Sequence, residues 1–284
     1  MIIEEKNKTL PRTLYLVATP IGNLSDMSER ALKVLSEVDF VAAEDTRNTQ
    51  RLLTYFGISG KPLVSYHEHN KAERGEKIVE RLAAGESCAL VTDAGTPAIS
   101  DPGADLVKLC AERGISVSSI PGACAAVVSL TLSALPTERF CFEGFLPTQN
   151  KERKKRLERL SGEDRTMVFH EAPHKLRTTL DDLAAAFGES RKISLCRELT
   201  KLNEDVMRTT LGEAVKIYRE REPKGEYVLV VEGTQEVSAL PETELTIQEQ
   251  VAYYIEGGMS KMDAIKATAK SRGMTKNDVY KLFV

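Results

Sequence analysis

The sequence predicts an α/β fold, because short apolar segments alternate along the chain with longer segments of helical periodicity. Nine segments have the length and composition of β-strands: residues 14–18, 38–44, 62–66, 88–93, 115–120, 140–145, 166–171, 193–199 and 226–233. Several of them are apolar throughout instead of alternating, which favours parallel strands covered on both faces. Strand and helix are therefore expected in turn.

Capping signals mark the helices between these strands. Residues 26–37 open with Asp26 and Glu29 at capping-box spacing and place apolar residues on one stripe. Residues 77–82 and 105–112 repeat the pattern, and Gly85 and Gly114 follow them at positions typical of C-caps. The segment PGACAAVVSLTLSAL then predicts a helix of small residues that leads out of the first unit.

This alternation of predicted strands and helices indicates two α/β domains and a small C-terminal helical module. The boundaries are expected at residues 1–125 for the N-terminal domain, 126–236 for the second domain, and 237–284 for a linker and the module. The linker is the polar, proline-bearing VSALPETELT. In the module, three helices are expected, with Ser260 and Thr275 as N-caps and Gly273 as a stop signal.

Composition limits the classes of function. The 284 residues carry a formal net charge of -3, so any nucleic-acid binding must come from a local basic patch. Neither a run of eighteen apolar residues nor a signal-peptide pattern occurs in the sequence, and a cytoplasmic protein without membrane contact is expected. The five scattered cysteines predict buried, reduced thiols.

The segments that follow the strands are unusually polar, small or kinked. They read TPIGN, AEDTR, YHEHN, TDAGTP, IPGA, HEAPHK and RELTK. In open α/β sheets ligands bind beyond the carboxyl ends of the strands, so these segments predict a cleft for a nucleoside-like ligand. The alternative is that glycine, proline and aspartate only make turns. Neither G-x-G-x-x-G nor a P-loop motif is present in the sequence, which disfavours a dinucleotide or P-loop site.

Two further patterns each allow two interpretations. Residues 170–174 read H-E-x-x-H, a zinc-peptidase motif when helical, but a strand before it and Pro173 within it favour a strand end followed by a turn and a helix. The run KERKKRLER predicts either a solvated helix face packed through Leu157 and Leu160, or a phosphate-binding patch. The patch would consist of Lys151, Arg153, Lys154, Lys155 and Arg156. The C-terminal tail is a second basic stretch of the same kind.

In order and spacing, the motifs resemble those of the bacterial 16S ribosomal RNA (cytidine 2′-O)-methyltransferases of the tetrapyrrole methylase (class III) superfamily. The motifs are TPIGNLSDMSERAL, AEDTRNT, VTDAGTPAISDPG, PGACAA, RFCFEGFLP, HEAPHKL, RELTK and KGEYVLVVEG, and they span nearly the whole chain. HEAPHKL departs from the family pattern, in which an aromatic residue precedes ES, then P or T, then HR. The resemblance therefore assigns no role to His170.

The resemblance implies that S-adenosylmethionine binds in a cleft between two α/β domains. By the same resemblance, the cofactor site comprises Pro20, Asp93, Thr96, Pro97, Ser119, Ile120, Pro121, Gly122, Phe169, Glu171, Ala172, Leu199, Gly225 and Glu226. A homodimer and 16S ribosomal RNA within the small ribosomal subunit are the implied partners. Asp101, in the same stretch as Asp93, is expected instead to cap the helix that follows it.

Methyl transfer to a ribose hydroxyl requires an in-line arrangement and a proton acceptor, and it needs no metal. Glu44 and Asp45 are the first candidates for the acceptor because they end a strand at the cleft, and Arg47 could hold the adjacent phosphate. Glu198 and Lys201 are the second choice. For Asp45, the alternative is a salt bridge to Arg47 or a helix cap.

Two other functions remain open on this fold. One is C-methylation of a tetrapyrrole or corrin precursor, whose carboxylates would also favour positive charge. The other is a non-catalytic protein that binds RNA or the ribosome. The basic run at residues 151–159 and the basic tail favour RNA, and we expect the tail to help dock it.

Overall fold

The computed structural model describes residues 8–234, 245–256 and 259–282. Two five-stranded sheets belong to one compact unit, formed by the chain up to Ser161 and by Arg165–Glu232. Gly162–Asp164 and the described residues from Gly233 onward form a second, smaller unit. The predicted α/β architecture with a C-terminal helical module is confirmed.

The first sheet is entirely parallel. Its strands are β1 (Thr13–Val17), β2 (Phe40–Ala43), β3 (Leu63–Ser65), β4 (Cys88–Val91) and β5 (Ser116–Ile120), in the spatial order β3-β2-β4-β1-β5. Its helices are α1 (Glu29–Glu37), α2 (Thr46–Tyr55), α3 (Lys71–Ala83) and α4 (Gly103–Glu112). Separate apolar clusters pack on its two faces, as the continuous apolarity of these strands predicted. All the carboxyl ends therefore meet at one edge.

The boundaries of the first helices are largely as predicted. Gly85 and Gly114 follow α3 and α4 with positive φ of 109° and 62°, as their expected place at the C-caps requires. The expected cap at Asp26 is wrong: Asp26 lies in a short 3-10 turn, and Ser28 caps α1 by accepting a hydrogen bond from the backbone nitrogen of Ala31 at 3.2 Å. Asn23 caps the 3-10 turn, which delays the start of α1.

The second sheet is mixed, with the order β6-β7-β10-β8-β9. Its strands are β6 (Phe140–Gly144), β7 (Thr166–Glu171), β8 (Lys192–Arg197), β9 (Asp205–Thr210) and β10 (Tyr227–Val231). Only the β6–β7 pair is parallel. The prediction of parallel strands is therefore wrong for the other pairs of this second sheet. Apolar residues on both sides of these strands reflect coverage by α5 (Ala125–Leu132) on one face and by α7 (Leu176–Phe187) and α8 (Leu211–Glu220) on the other.

Strand β9 was absent from the nine predicted segments. Its sequence, DVMRTT, is mostly polar and only half-buried, because it pairs on one side only, with β8 at the edge of the sheet. An edge strand needs little apolar surface, so it leaves a weak signal in the sequence. All five cysteines are free thiols, and Cys88, Cys110 and Cys196 are buried, as expected.

The C-terminal module has α9 (Ile247–Glu256), α10 (Lys261–Ser271) and α11 (Lys276–Lys281) around a small core that includes Val251, Ile265 and Val279. Ser260 and Thr275 cap α10 and α11 as predicted, and Gly273 has a positive φ of 63°. The predicted linker begins at residue 237, and its part up to residue 244 lies outside the described residues. Within the described ranges, no helix is long and apolar enough to cross a membrane.

Candidate active site

Two loops from the first sheet are tied together at its carboxyl edge. Thr19, after β1, and Gly95, after β4, exchange backbone hydrogen bonds of 2.9 and 3.1 Å. The Thr19 hydroxyl also donates to the Thr92 carbonyl oxygen at 3.1 Å. The segments TPIGN and TDAGTP, which the sequence placed at one edge, are therefore a single joined wall.

Three carboxylates gather at this wall, on the loops after β2 and β4. The Thr92 hydroxyl donates to Glu44 Oε2 at 2.8 Å. The Asp93 carboxylate accepts from the Asp45 backbone nitrogen and from Asn48 Nδ2, both at 3.3 Å. The structure thus brings the predicted residues Glu44, Asp45 and Asp93 together, and it adds Asn48, which the sequence did not single out.

Asp45 is held by its neighbours. Its carboxylate caps α2 by accepting from the Arg47 backbone nitrogen at 2.8 Å, and it pairs with the Arg47 side chain through contacts of 3.1 and 2.7 Å. Hydrogen bonding from Arg47 lowers the pKa of Asp45 well below its ordinary value. The structure therefore contains both the cap and the salt bridge that were the alternative for Asp45, and a carboxylate held in this way is a weak proton acceptor.

Asp93 shows the opposite shift. Partial desolvation raises its pKa above the ordinary value, and the negative charge of Glu44 adds to the effect. Its two hydrogen bonds fix the carboxylate; the charge of Arg47 interacts with Asp93, but within the described residues no cation forms a salt bridge with it. Among these three acids, Asp93 therefore combines a fixed position with a raised proton affinity, which is the property of a proton acceptor.

Hydrogen bonds fix the backbone conformation of the rest of the VTDAGTPAISDPG loop. The Thr96 hydroxyl donates to the Ala123 carbonyl at 2.9 Å, which joins this loop to the segment after β5. Asp101 Oδ1 accepts from the backbone nitrogens of Ala98 and Gly103 at 3.0 and 2.7 Å. Pro102 is the N-cap residue of α4 and Gly103 begins the helix, so Asp101 lies just before the cap and shapes the start of the helix by accepting from its first backbone nitrogen. Ala98 has a positive φ of 68°, so this carboxylate holds a strained turn.

A second group of loops lies at one edge of the mixed sheet. Because β10 runs antiparallel to β7 and β8, Tyr227 at its start pairs with Glu171 and Arg197 at their ends. The RELTK loop after β8 and the Gly225–Glu226 segment before β10 therefore meet. The antiparallel direction of β10 and its register together produce this convergence.

An ionic network fixes the RELTK loop. Glu198 Oε1 accepts from the Glu226 backbone nitrogen and from Lys201 Nζ, both at 2.9 Å. Lys201 Nζ also contacts Glu226 Oε2 at 2.7 Å. The backbone hydrogen bond from Glu226 lowers the pKa of Glu198. Glu198 and Thr200 have positive φ of 51° and 65°, so the network holds a conformation that these residues rarely adopt.

The two groups of loops touch at Gly22. A Cβ atom on this glycine would lie 2.9 Å from the Leu199 carbonyl oxygen and would overlap the Lys201 side chain. A side chain at this position would therefore push the TPIGN and RELTK loops apart. Glycine is required here because the two loops approach each other closely. The φ of Gly22 lies outside the left-handed region, so the backbone conformation alone would allow another residue.

A cavity of about 350 Å³ lies between the two groups of loops. Ile21, Ala94 and Ala125 line it from the first side; Phe145, His170, Glu171, Ala172, Leu199, Lys201, Glu226 and Val228 are among those lining it from the second. Apolar walls with a few polar groups at one end are typical of small-molecule sites of about 300–1,000 Å³.

Four of the residues assigned to the cofactor by resemblance, Glu171, Ala172, Leu199 and Glu226, line this cavity. Pro20 and Asp93 line a second cavity of about 420 Å³ on the other side of the joined wall. The side chains of Ile120 and Phe169 are buried in apolar cores, so only their backbones could reach a ligand. The remaining residues of the set, Thr96, Pro97, Ser119, Pro121, Gly122 and Gly225, line neither cavity.

The HEAPHK segment has the conformation that the sequence favoured. His170 and Glu171 end strand β7, Pro173 begins a 3-10 turn, and α7 follows. The helical H-E-x-x-H arrangement is therefore absent at residues 170–174. Glu171 is buried, and its carboxylate accepts from the Ala172 backbone nitrogen at 2.9 Å and from the Thr179 hydroxyl. Its role in the fold is to pin the start of the turn.

His170 faces the cavity between two aromatic rings. The ring centroids of Phe142 and Phe145 lie 5.1 and 5.5 Å from that of His170, both edge-on. Burial lowers the pKa of the imidazole, so it is neutral near pH 7, and its Nε2 atom has no hydrogen-bond partner in the described part of the chain. A neutral ring with an unsatisfied nitrogen suits a polar ligand atom in the cavity.

The basic run forms α6 (Asn150–Leu160), and its cations divide into two groups. Lys151, Lys154, Lys155 and Arg159 are exposed. Arg153 is largely buried and contacts Asp182 Oδ2 at 2.6 Å and the Thr179 hydroxyl at 2.8 Å. Arg156 pairs with Glu143 at 2.5 Å. The helix packs through Leu157 and Leu160, as the solvated-face interpretation predicted, and the three lysines and Arg159 are its exposed cations.

Comparisons with known proteins show the family of the chain. Residues 13–215 match the family model of the Tetrapyrrole (Corrin/Porphyrin) Methylases. The chain is 49% identical over 274 residues to the protein named Ribosomal RNA small subunit methyltransferase I of Halalkalibacterium halodurans, covering 95% of this chain and 94% of that protein. Its identity to the protein of the same name from Bacillus subtilis is 46% over 271 residues, covering 94% and 93%.

Solved structures share the fold. A diphthine synthase superposes with a TM-score of 0.60 at 18% identity, covering 78% of this chain and 90% of that one. Uroporphyrin-III C-methyltransferase from Thermus thermophilus, solved as a complex with S-adenosylhomocysteine, gives 0.54 at 16% identity, covering 78% and 97%. The chain therefore belongs to the tetrapyrrole methylase family, together with the proteins named ribosomal RNA small subunit methyltransferase I.

Proposed function

We propose that the protein is an S-adenosylmethionine-dependent methyltransferase that modifies ribosomal RNA of the small subunit, at the ribose 2′-hydroxyl of a cytidine. The names of relatives that are 42–49% identical over most of the chain support the RNA substrate. The single structural observation that carries the proposal is the cavity between the two groups of loops, next to the joined wall that carries Asp93 on its other side.

The residues around this cavity fit S-adenosylmethionine. Ile21, Leu199 and Val228 offer apolar surface to an adenosine, and the unpartnered Nε2 atom of His170 offers a polar contact. The ammonium of Lys201 and the exposed carboxylate of Glu226 would complement the two charges of the amino-acid part. When bound, this cofactor supplies an electrophilic methyl group on a sulfonium.

The chain's own residues position the acceptor and take its proton. The ribose hydroxyl is weakly acidic, so attack on carbon is helped by a carboxylate that can hold the departing proton. Asp93, whose pKa is raised, is our first choice, with Glu44 beside it. Asp45 instead fixes Arg47, whose side chain is 84% exposed and free at its outer edge to contact a phosphate.

The proposed substrate is RNA within the small ribosomal subunit. The exposed lysines of α6 support contact with phosphates, and the basic C-terminal module is a second contact. We further propose that the enzyme acts as a homodimer in the cytoplasm, where small subunits are assembled. No metal enters the proposed chemistry, since displacement from a sulfonium needs positioning and a proton acceptor.

Transfer of a labelled methyl group from S-adenosylmethionine to small subunits from a strain that lacks the protein tests this function. The RNA would be digested to nucleosides and analysed by mass spectrometry. We expect one gain of 2′-O-methylcytidine. Transfer to a uroporphyrinogen and not to RNA would overturn the substrate, and tight cofactor binding without transfer to either would favour a non-catalytic RNA-binding protein.

A further inference from the structure

The second cavity shares its inner wall with the first. Pro20, Gly22 and Asp93 line the second cavity, whereas Ile21 and Ala94 line the first. Neighbouring residues of the same two loops therefore face opposite sides of the joined wall. Two reactants held in these cavities would be separated only by this wall, with Asp93 on the second side.

The outer wall of the second cavity is helix α2. Arg51 and Tyr55 line it, and with Arg47 they are spaced four residues apart, so all three lie on one face of the helix. Tyr55 is 66% exposed and packs edge-on against Phe56 with ring centroids 5.0 Å apart. Within residues 8–234, 245–256 and 259–282, no carboxylate pairs with the exposed Arg51.

The interior of this cavity has both apolar and polar surface. Leu24, which is 39% exposed, and Leu52 provide apolar contacts, while Asn48 and Asp93 present amide and carboxylate groups. A flat apolar wall with hydrogen-bonding groups at one end suits a nucleobase, and cations at the rim suit its phosphates. Arg51 places a cation at the rim, and Arg47, on the same helix face, is paired with Asp45.

We propose that this second cavity, with Arg51 and Tyr55 at its rim, binds the acceptor nucleotide of the RNA. The base stacks on Tyr55 in an unpaired, splayed-out state, and the backbone phosphates contact Arg51 and Arg47. This arrangement rests on the proposed function, which assigns the cofactor to the first cavity. It places the acceptor ribose beside Asp93, the proposed proton acceptor, and in-line transfer then requires the ribose to reach past the edge of the joined wall toward the first cavity.

The test uses the full chain and a short, fluorescently labelled, single-stranded oligoribonucleotide that contains cytidines. Binding is followed by fluorescence anisotropy with S-adenosylhomocysteine present at saturation. Because stacking on an aromatic ring strengthens binding substantially, Tyr55→Ala should weaken affinity by about tenfold or more, whereas Tyr55→Phe should keep most of it. Arg51→Ala should also weaken binding, and it should reduce the slope of log affinity against log salt by about 0.7.

The salt slope separates the two roles, since Tyr55→Ala should leave it unchanged. Arg219→Ala, which removes an exposed arginine from α8, is the matched control and should alter neither affinity nor slope. Melting temperature and S-adenosylhomocysteine affinity should stay the same in all variants, because both rim residues are exposed. In transfer assays, the KM for small subunits should rise in the Tyr55→Ala and Arg51→Ala variants.

Unchanged RNA affinity in both alanine variants, while the unaltered protein still methylates RNA, would overturn the nucleotide site and leave the proposed function standing. Failure of the unaltered protein to methylate any RNA would instead overturn the proposed function. Loss of S-adenosylhomocysteine binding in Tyr55→Ala would also contradict the proposal, because it would assign the second cavity to the cofactor.

Discussion

The two sheets bring their functional loops together in different ways. In the first sheet all five strands run parallel, so strand direction alone collects the loops after β1, β2 and β4 at one edge. In the second sheet, the ends of β7 and β8 meet the beginning of β10 only because the antiparallel register aligns them. The first edge carries a carboxylate with a raised pKa, and the second carries an ionic network that holds an unusual backbone.

The two edges therefore have different tasks. A change at the first edge should reduce chemistry and leave the fold intact, since Asp93 is exposed and, within the described residues, hydrogen-bonds to Asn48 and one backbone nitrogen. A change at the second edge should disturb the fold and the cavity together, because Glu198, Lys201 and Glu226 hold the loop that lines it.

The strongest effect is expected at the first edge. Asp93→Asn keeps the size of the side chain and removes its capacity to accept a proton, so methyl transfer should fall by about 10²–10⁴-fold. Because only ionised Asp93 accepts a proton, the rate of the unaltered enzyme should rise with pH through the raised pKa of this group. The variant should lose that limb of the pH–rate profile.

Thermal melting provides the second readout for Asp93→Asn. A raised pKa in the folded state means that the fold favours the protonated acid, so ionisation costs stability as pH rises through that pKa. The melting temperature of the variant at neutral pH should therefore be no lower than that of the unaltered protein. Asp26→Asn, at an exposed position in the 3-10 turn, is the control for activity. A fall in melting temperature together with activity would mean that Asp93 is structural.

The next effect tests the second edge through Gly225. Its φ is +79°, and a Cβ atom would lie 2.5–2.7 Å from the carboxyl group and Cγ of Glu198. Gly225→Ala should destabilise the fold by roughly 1–3 kcal/mol and weaken S-adenosylmethionine binding, since it displaces the network. Denaturant unfolding and calorimetric titration measure the two effects.

Gly57→Ala is the matched control for this prediction. Gly57 has a similar φ of +73° but nothing within 4 Å of its would-be Cβ atom. It should therefore incur the backbone strain alone and leave cofactor affinity unchanged. Equal effects in the two variants would show that the Glu198 contact contributes nothing.

A third prediction concerns Arg153 on α6. Its charged hydrogen bonds to Asp182 and Thr179 are largely buried, so Arg153→Met should lower the free energy of unfolding by about 1.5–3 kcal/mol. Lys154→Met, one residue later on the exposed face, should change it by no more than about 0.5 kcal/mol. Urea unfolding of the pair decides whether Arg153 is structural or is available to RNA.

The weakest effect is expected for the exposed lysines. If Lys154 and Lys155 contact phosphates, Lys154→Ala combined with Lys155→Ala should weaken binding to RNA modestly and reduce the salt slope by about 0.7–0.9 for each phosphate that is no longer neutralised. Filter binding at several salt concentrations measures this slope. An unchanged slope would assign these lysines to solvation alone.

Much of the fold could be predicted from the sequence, because the patterns that indicate strands, caps and turns involve residues close together in the chain. Nine strands, the caps at Ser260 and Thr275 and the turn at Pro173 depend on residues adjacent in the chain. The direction of β10 and the existence of β9 depend on pairing between distant segments, which apolarity does not encode. The sequence also predicted the wrong start for α1, because two capping residues, Asn23 and Ser28, lie close together there.

The candidate site was predicted in part for the same reason. Strand ends located Glu44, Asp45 and Asp93, and the structure brings them together. The sequence could not tell that Arg47 restrains Asp45 whereas Asp93 lacks such a partner, since this depends on side-chain geometry. The sequence did not identify Arg51 and Tyr55 as site residues, because their position on one helix face indicates a binding site only when the adjacent cavity is known.

The close contact at Gly22 also bears on how the molecule melts. The TPIGN loop packs against the RELTK loop, and Ile21 of this loop also packs against the apolar cluster that α5 forms with Val168 and Val230 of the second sheet. Neither sheet can lose its structure without exposing surface on the other. The two sheets should therefore unfold in one cooperative transition, and a fragment that ends at residue 125 should not fold by itself.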